Sequence, residues 1–298
     1  MSMLKILRRR AGSSLSMMMG LGLLAASSAW AANNVGVDGE SAQQDFPQSD
    51  QKQSALEQAV TTSLRTEANV ARDIYRNPTE TLRFFDVRSD AVVVEIWPGQ
   101  GWYTEILAPL LADEGTLYAA HFPKQSSSNY FQKSRAAFEQ QLADRPEVYP
   151  NVQLIDFDPA AAQMAAPAGD ADRVLTFRNV HNWLKAGSAK QAFQQFYQML
   201  KPGGVLGVVE HRAKPGTSVE DMMNSGYVTE DKVIELAAQA GFVLEDRAEI
   251  NANRKDPTVH PSGVWTLPPS LRLGDENREK YLAIGESDRM TLKFRKPE

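Results

Sequence analysis

The sequence contains no cysteine, so neither disulfides nor thiolate chemistry can serve its stability or its function. Histidine is scarce, with four residues in the chain, His121, His181, His211 and His260. Acidic residues are missing from the first 31 positions, which hold Lys5, Arg8, Arg9 and Arg10. The rest of the chain therefore carries 28 basic and 37 acidic residues, a net charge of −9. An acidic body argues against nonspecific nucleic-acid binding, which depends on neutralising phosphates. No internal repeat is present.

What stands at the N-terminus is a basic segment, an apolar stretch from about Leu15 to Ala26, and Ala29-Trp30-Ala31 with small residues where a signal peptidase reads. The apolar stretch is too short to span a bilayer comfortably, so the pattern predicts a cleaved secretory signal over 1–31, with no stable membrane anchor afterwards. The expected location is periplasmic or secreted. Residues 32–53 are rich in Asn, Gln, Ser and Asp and read as a disordered linker, which leaves 54–298 as one domain.

Within that domain seven short apolar runs read as strands: 91–97, 116–122, 152–157, 173–177, 205–210, 242–250 and 290–295. Helix-length segments at 102–112, 130–142, 190–200 and 230–240 lie between them. Strands alternating with helices imply a mostly parallel sheet covered on both faces. The last two strands are joined by a Pro- and Asn-containing stretch, 251–288, with no clear helix, which suggests an antiparallel last strand.

The first strand runs into Glu95-Ile-Trp-Pro-Gly99-Gln-Gly101 and then into a helix. Glycines there let the backbone approach a ligand closely. A dinucleotide site would want GxGxxG, but Thr104 takes the third glycine position. Glu95 would repel a pyrophosphate and attract an ammonium group. S-adenosylmethionine has no phosphate and carries an ammonium, so the chemistry favours it over a nicotinamide dinucleotide.

These residues, with NVQLIDFD, DRVLTFRNVHNWL, MLKPGGVLGVVEH and TLKFRKPE in that order, resemble the class I S-adenosylmethionine-dependent methyltransferases. Within them the chain most resembles an exported bacterial group of predicted methyltransferases, over roughly residues 60 to 298. The resemblance implies an α/β, Rossmann-like fold with a seven-stranded, mostly parallel sheet, helices on both faces and an antiparallel last strand. It implies that Glu95, Gly99 and Gly101 line the methionine and ribose part of the cofactor. Asp156 would accept from the adenine amino group with Phe157 against the ring, and Arg178 and Asn179 would close the methionine end. Two alternatives stay open: Glu95 as a cap on the following turn, and Asp156 as a helix cap or solvated acid with Asp158 as its rival.

Two positions depart from the family pattern. The acid usual at the end of strand two is replaced by Ala119-Ala120-His121, and a neutral His121 can take one ribose hydroxyl at most. Trp97 replaces the first glycine of the turn. Pro98 biases Trp97 toward an extended conformation, which would set its indole on the face of Glu95, beside the methionine end. The alternative is an indole packed as core beneath the neighbouring helix.

All four histidines are expected at the carboxyl edge of the sheet, where open α/β folds bind ligands. His181 is the first candidate for a general base that deprotonates an acceptor, with Glu210 or His211 the second. No HxH or HxxxH spacing supports a metal, so none is expected. Trp102, Tyr103 and Trp183 are candidates for an apolar acceptor wall or for plain core. The leading expectation is an exported methyltransferase acting on a small molecule. The alternative is a noncatalytic methyltransferase-fold protein that binds a nucleoside-like or other small ligand. Export weighs against the first, because S-adenosylmethionine is charged, cytosolic and does not cross membranes unaided, and the replaced glycine and missing ribose acid favour the alternative.

Protein recovered from cells should begin at or near Ala32. N-terminal sequencing that finds the intact Met1 terminus in the cytosolic fraction overturns the expected export.

Overall fold

Seven strands form where the apolar runs stand: β1 (Val92–Ile96), β2 (Thr116–His121), β3 (Gln153–Asp156), β4 (Ala171–Phe177), β5 (Leu200–His211), β6 (Val243–Ala248) and β7 (Arg289–Arg295). The computed structural model describes residues 48–160 and 167–298, with side chains from Ala55 onward. The expected signal peptide and positions 32–47 of the expected linker lie outside the described residues. Helix α1 (Gln48–Thr61) begins inside the stretch expected to be linker, so ordered backbone starts before position 54. Among the described residues no helix is long and apolar enough to cross a membrane.

The strands form one sheet in the order β3-β2-β1-β4-β5-β7-β6. The pairs among β1 to β5 are parallel, and β7 runs antiparallel to both β5 and β6, as the sequence implies. Side-chain alternation along β1 serves two cores, one on each face. Val94 and Ile96 pack toward Phe193 and Phe196 of α8 (Ala189–Met199) and Val233 of α10 (Glu230–Ala240). Val93 packs toward Leu56 of α1, Leu82 of α4 (Pro78–Phe84) and Ile106 of α5 (Thr104–Leu110).

Local chemistry sets the element ends. Helix α10 starts where the Thr229 hydroxyl accepts from the Lys232 N–H at 3.2 Å and stops at Gly241, whose φ of 105° is left-handed. The Lys201-Pro-Gly-Gly204 segment, just ahead of the run expected as the fifth strand, is an irregularity inside β5. Leu200 pairs with Ala171, and the register then shifts so that Val205 pairs with Arg173. The 251–288 connection is not helix-free, for it contains a 3₁₀ turn (Gly263–Thr266) and a short α-helix (Arg278–Ile284).

Because β1, β4 and β5 are neighbours, the segments after their ends meet. Two short helices before the sheet, α2 (Glu67–Val70) and α3 (Asp73–Arg76), bring Asn69, Arg72 and Arg76 to the same edge. These helices lead into α4 and the fully buried Phe85, which lies on β5 at Gly207. A Cβ on Gly207 would stand 2.7 Å from Phe85 Cγ and 2.8 Å from Leu175 Cδ2. Gly207→Ala should therefore overpack this contact and lower stability by about 1–3 kcal/mol. An unchanged urea midpoint would show that Phe85 does not need this close approach.

Candidate functional site

The edge where β1, β4 and β5 end opens into a cavity of about 620 Å³. Of the residues expected from the sequence, Glu95, Trp97, Gly99, Arg178, Asn179, His181 and His211 line it. Gly101, His121, Asp156, Phe157 and Glu210 do not.

Glu95 is buried at the end of β1, where its Oε2 accepts the Thr104 hydroxyl at 2.7 Å. Burial drives its carboxyl up to about 7, against the lowering effects of that hydrogen bond and of Arg178. It thus anchors the first residue of α5, the capping role left open above, and also lines the cavity. Gly99 is left-handed at φ 63°, and a Cβ there would meet nothing within 4 Å, so the space beside it is open for a ligand. Gly101 serves packing instead, since a Cβ there would lie 3.0 Å from Phe138 Cε2. Asn179 Nδ2 donates to the Ile96 carbonyl at 3.0 Å and ties the start of α7 (Val180–Lys185) to the end of β1.

Trp97 departs from the expected geometry. Its N–H continues the ladder to the Ala120 carbonyl at 2.8 Å, but its φ is 47°, the left-handed angle of the glycine it replaces. The bias from Pro98 is overridden, at a cost of order 1–3 kcal/mol for a bulky residue. What offsets it is the place of the indole. The ring lies on the face opposite Glu95, with centroids 4.7 Å from Phe122, 5.2 Å from Trp183 and 6.2 Å from Phe157. Its Nε1 donates to the Phe157 carbonyl at 3.2 Å.

Phe122 and Phe157 follow the ends of β2 and β3, where the resemblance puts ribose and adenine. The indole, a fused bicyclic ring of similar size, fills that space. The residues expected to hold the adenosine are correspondingly engaged elsewhere. His121 Nε2 lies 3.2 Å from the Gly99 carbonyl and its Nδ1 accepts the Phe122 N–H at 2.8 Å, so neither nitrogen is left for a ribose hydroxyl. Burial lowers its pKa to about 4 and keeps the ring neutral. Asp156 pairs with Arg135 Nη1 at 2.8 Å and accepts the Lys124 N–H at 3.3 Å. Phe157 is buried against Phe196 and Trp183. The residues present fit the methionine half of such a cofactor, and the indole stands where the resemblance puts its adenosine half.

The histidine edge is real but divided. His181 and His211 meet with ring centroids 5.3 Å apart. His211 adjoins Tyr227 at 6.1 Å, which adjoins His260 at 6.4 Å, and His260 Nε2 bonds Asp256 Oδ1 at 2.8 Å. Glu210 is fully buried behind this pair and cannot touch a substrate, contrary to the expectation of a second base. Its carboxylate accepts the backbone N–H groups of His181 and His211 at 3.3 and 2.8 Å. With both oxygens accepting, His181 Nδ1 at 3.0 Å is the donor, which leaves Nε2 as the basic nitrogen. Burial and the nearby His181 and arginines hold the His211 pKa well below the ordinary imidazole value. Trp102 and Tyr103 line the cavity, with Tyr103 stacked on Phe177 at 3.6 Å, whereas Trp183 is core.

Ligand atoms of His181, Glu210 and His211 lie within 4.8 Å of one another, a cluster that sequence spacing did not reveal. Four arginines on the same cavity, Arg72, Arg76, Arg178 and Arg289, set a positive field that opposes a cation there. Of these, only Arg178 was singled out from the sequence. Arg72 and Arg76 stand four residues apart, on one helical face, a spacing that would have paired them.

No family model matches the chain, and no curated protein matches it. Solved structures do share its fold. A SAM-dependent methyltransferase from Aquifex aeolicus aligns over 82% of this chain and 98% of its own, with a TM-score of 0.51 and 12% identity. A candidate sarcosine dimethylglycine methyltransferase from Galdieria sulphuraria aligns over 76% of this chain and 85% of its own, with a TM-score of 0.51 and 14% identity. The sheet order and helix placement of this chain are those of the methyltransferase fold.

The raised Glu95 carboxyl has a measurable consequence. Between 4.5, its ordinary value, and about 7, the unfolded chain has released a proton that the folded chain keeps. The Glu95 contribution to stability therefore falls as pH rises through that window, by about 3 kcal/mol in all. Urea unfolding of wild type and Glu95→Gln across the window should show the difference between them changing by this amount. A constant difference would mean that Glu95 titrates normally.

Proposed function

We propose that this chain is an exported S-adenosylmethionine-dependent methyltransferase that transfers a methyl group to a small molecule in the cavity. The observation that carries this reading is the convergence of Glu95, Gly99, Asn179 and His181 on one cavity at the carboxyl edge of a methyltransferase fold. When bound, the cofactor supplies an electrophilic methyl group on a sulfonium. Glu95, poised near neutral pH, accepts the ammonium of the methionine end and gives up its own proton on doing so. The open side of Gly99 admits the chain of that group. His181, turned by Glu210 so that Nε2 carries the lone pair, takes the proton of a hydroxyl or amine acceptor. Trp102 and Tyr103 supply apolar wall around it.

The indole of Trp97 favours a second reading, a small-ligand-binding protein that keeps the fold and never admits the nucleoside. The two readings part on whether the indole moves. If it does, S-adenosylhomocysteine should change the tryptophan fluorescence of the mature protein, and Trp97→Phe should remove most of the change. Trp97→Gly suits the left-handed backbone and leaves the space open, so calorimetry should show binding roughly tenfold or more tighter than wild type. Circular dichroism checks that this variant is folded. If neither wild type nor Trp97→Gly binds S-adenosylhomocysteine, the methyltransferase reading falls and the ligand-binding one stands.

A further inference from the structure

The arginines of the cavity do not form a balanced network. Glu286 is the one acid among them, with Arg72 Nε at 2.6 Å, Arg76 Nε at 3.3 Å and Arg289 Nη2 in close contact. Burial alone would raise the Glu286 carboxyl, but Arg289, Arg76 and Arg72 outweigh it and hold it well below the usual carboxylate range. Arg178 adds a fourth guanidinium and forms no side-chain hydrogen bond or ion pair among the described residues. The other carboxyl on the cavity wall, Glu95, is bonded to Thr104. Four guanidiniums thus surround a single firmly ionised carboxylate.

Unused donors accompany the surplus charge. Arg76 Nη1 and Arg289 Nε are buried without a hydrogen-bond partner, in residues exposed by only 3% and 2%. Arg178 is held at φ 62°, a left-handed angle that a long side chain rarely adopts, by a 2.7 Å bond from its N–H to the Val209 carbonyl. Burial and repulsion by Arg289 lower its pKa to about 10. A folded chain keeps such an arrangement at a cost, and strained, unpartnered charge of this kind marks ligand sites.

We propose that this end of the cavity binds the oxyanion of a small molecule, a carboxylate or a group of like charge and shape, between Arg178, Arg76 and Arg289. Guanidinium forks match carboxylate and phosphate oxygens two at a time, and Arg178, with no side-chain partner among the described residues, keeps its fork free, with Arg76 Nη1 and Arg289 Nε as further single donors. Arg72 completes the positive rim, and His181 and Trp265 stand on the same cavity, so the rest of the ligand lies across the imidazole edge. The site goes beyond the methyl-transfer reading and stands whether or not a methyl group moves. Two sources could present the oxyanion: a separate acceptor, or the methionine carboxylate of the cofactor.

Arg178→Gln tests the site, because its loss breaks no bond and removes repulsion. The variant should melt at a higher temperature than wild type in anion-free buffer. It should bind malonate, used as the probe, roughly tenfold or more weakly by calorimetry, the worth of one lost hydrogen bond to a charged group. Binding of S-adenosylhomocysteine and of 5′-methylthioadenosine, which lacks the amino-acid end, identifies the source. If Arg178→Gln weakens only the first, the oxyanion is the cofactor's; if it weakens neither and weakens malonate, the oxyanion belongs to the acceptor. A lower melting temperature together with unchanged malonate binding would overturn the proposal, as would wild type that binds neither malonate nor inorganic phosphate. Absence of S-adenosylhomocysteine binding in both wild type and Trp97→Gly, with malonate binding kept, would refute methyl transfer and leave the anion site standing.

Discussion

Glu286 ties the beginning of the domain to its end. Its carboxylate takes Arg72 and Arg76 from the helices before the sheet and Arg289 from the first residue of β7. Removing one partner from such a buried cluster leaves charge without compensation, so the contacts hold or fail together. Because they hold, α2 and α3 stay at the carboxyl edge of the sheet and close one side of the cavity. The arginines brought there are more than Glu286 can neutralise, so the contact that shapes the cavity also charges it.

On the other side of β1 the constraint is steric. Trp97 occupies a backbone position that suits glycine, and its indole reaches the strand ends after β2 and β3. The bond to the Phe157 carbonyl and the contacts with Phe122 and Trp183 repay the strained angle. The same residue therefore divides this edge of the sheet into two unlike halves. One half is a charged open cavity holding Glu95, Arg178 and His181, and the other is filled by an aromatic cluster.

His181, Glu210 and His211 show how neighbouring strands make a site from distant residues. Glu210 and His211 end β5, and His181 starts the helix after the adjacent β4. The buried carboxylate spends its oxygens on two backbone N–H groups and one imidazole, which fixes the ring orientation and the face that His181 turns to the cavity. The acid thus positions His181 and stays off the cavity wall itself.

Strand positions, the antiparallel last strand, the ends of α10 and the placing of Glu95, Gly99, Asn179 and His181 at one edge of the sheet were all legible in the sequence. Each depends on short-range pattern: alternation of apolar residues, a capping threonine, a terminal glycine, or a residue just past a strand end. The conformation of Trp97 was not legible, because local preference for an extended residue before proline lost to aromatic contacts from α6 (Asn129–Asp144), from α7 and from the ends of β2 and β3. The engagement of His121 and Asp156 was hidden for the same reason, since Gly99 and Arg135 reach them only in the folded chain. Arg72, Arg76, Glu286 and Arg289 read singly as solvated charges. Only the tertiary structure decides that they share one buried space, because electrostatic coupling depends on distance in space and not on distance along the chain.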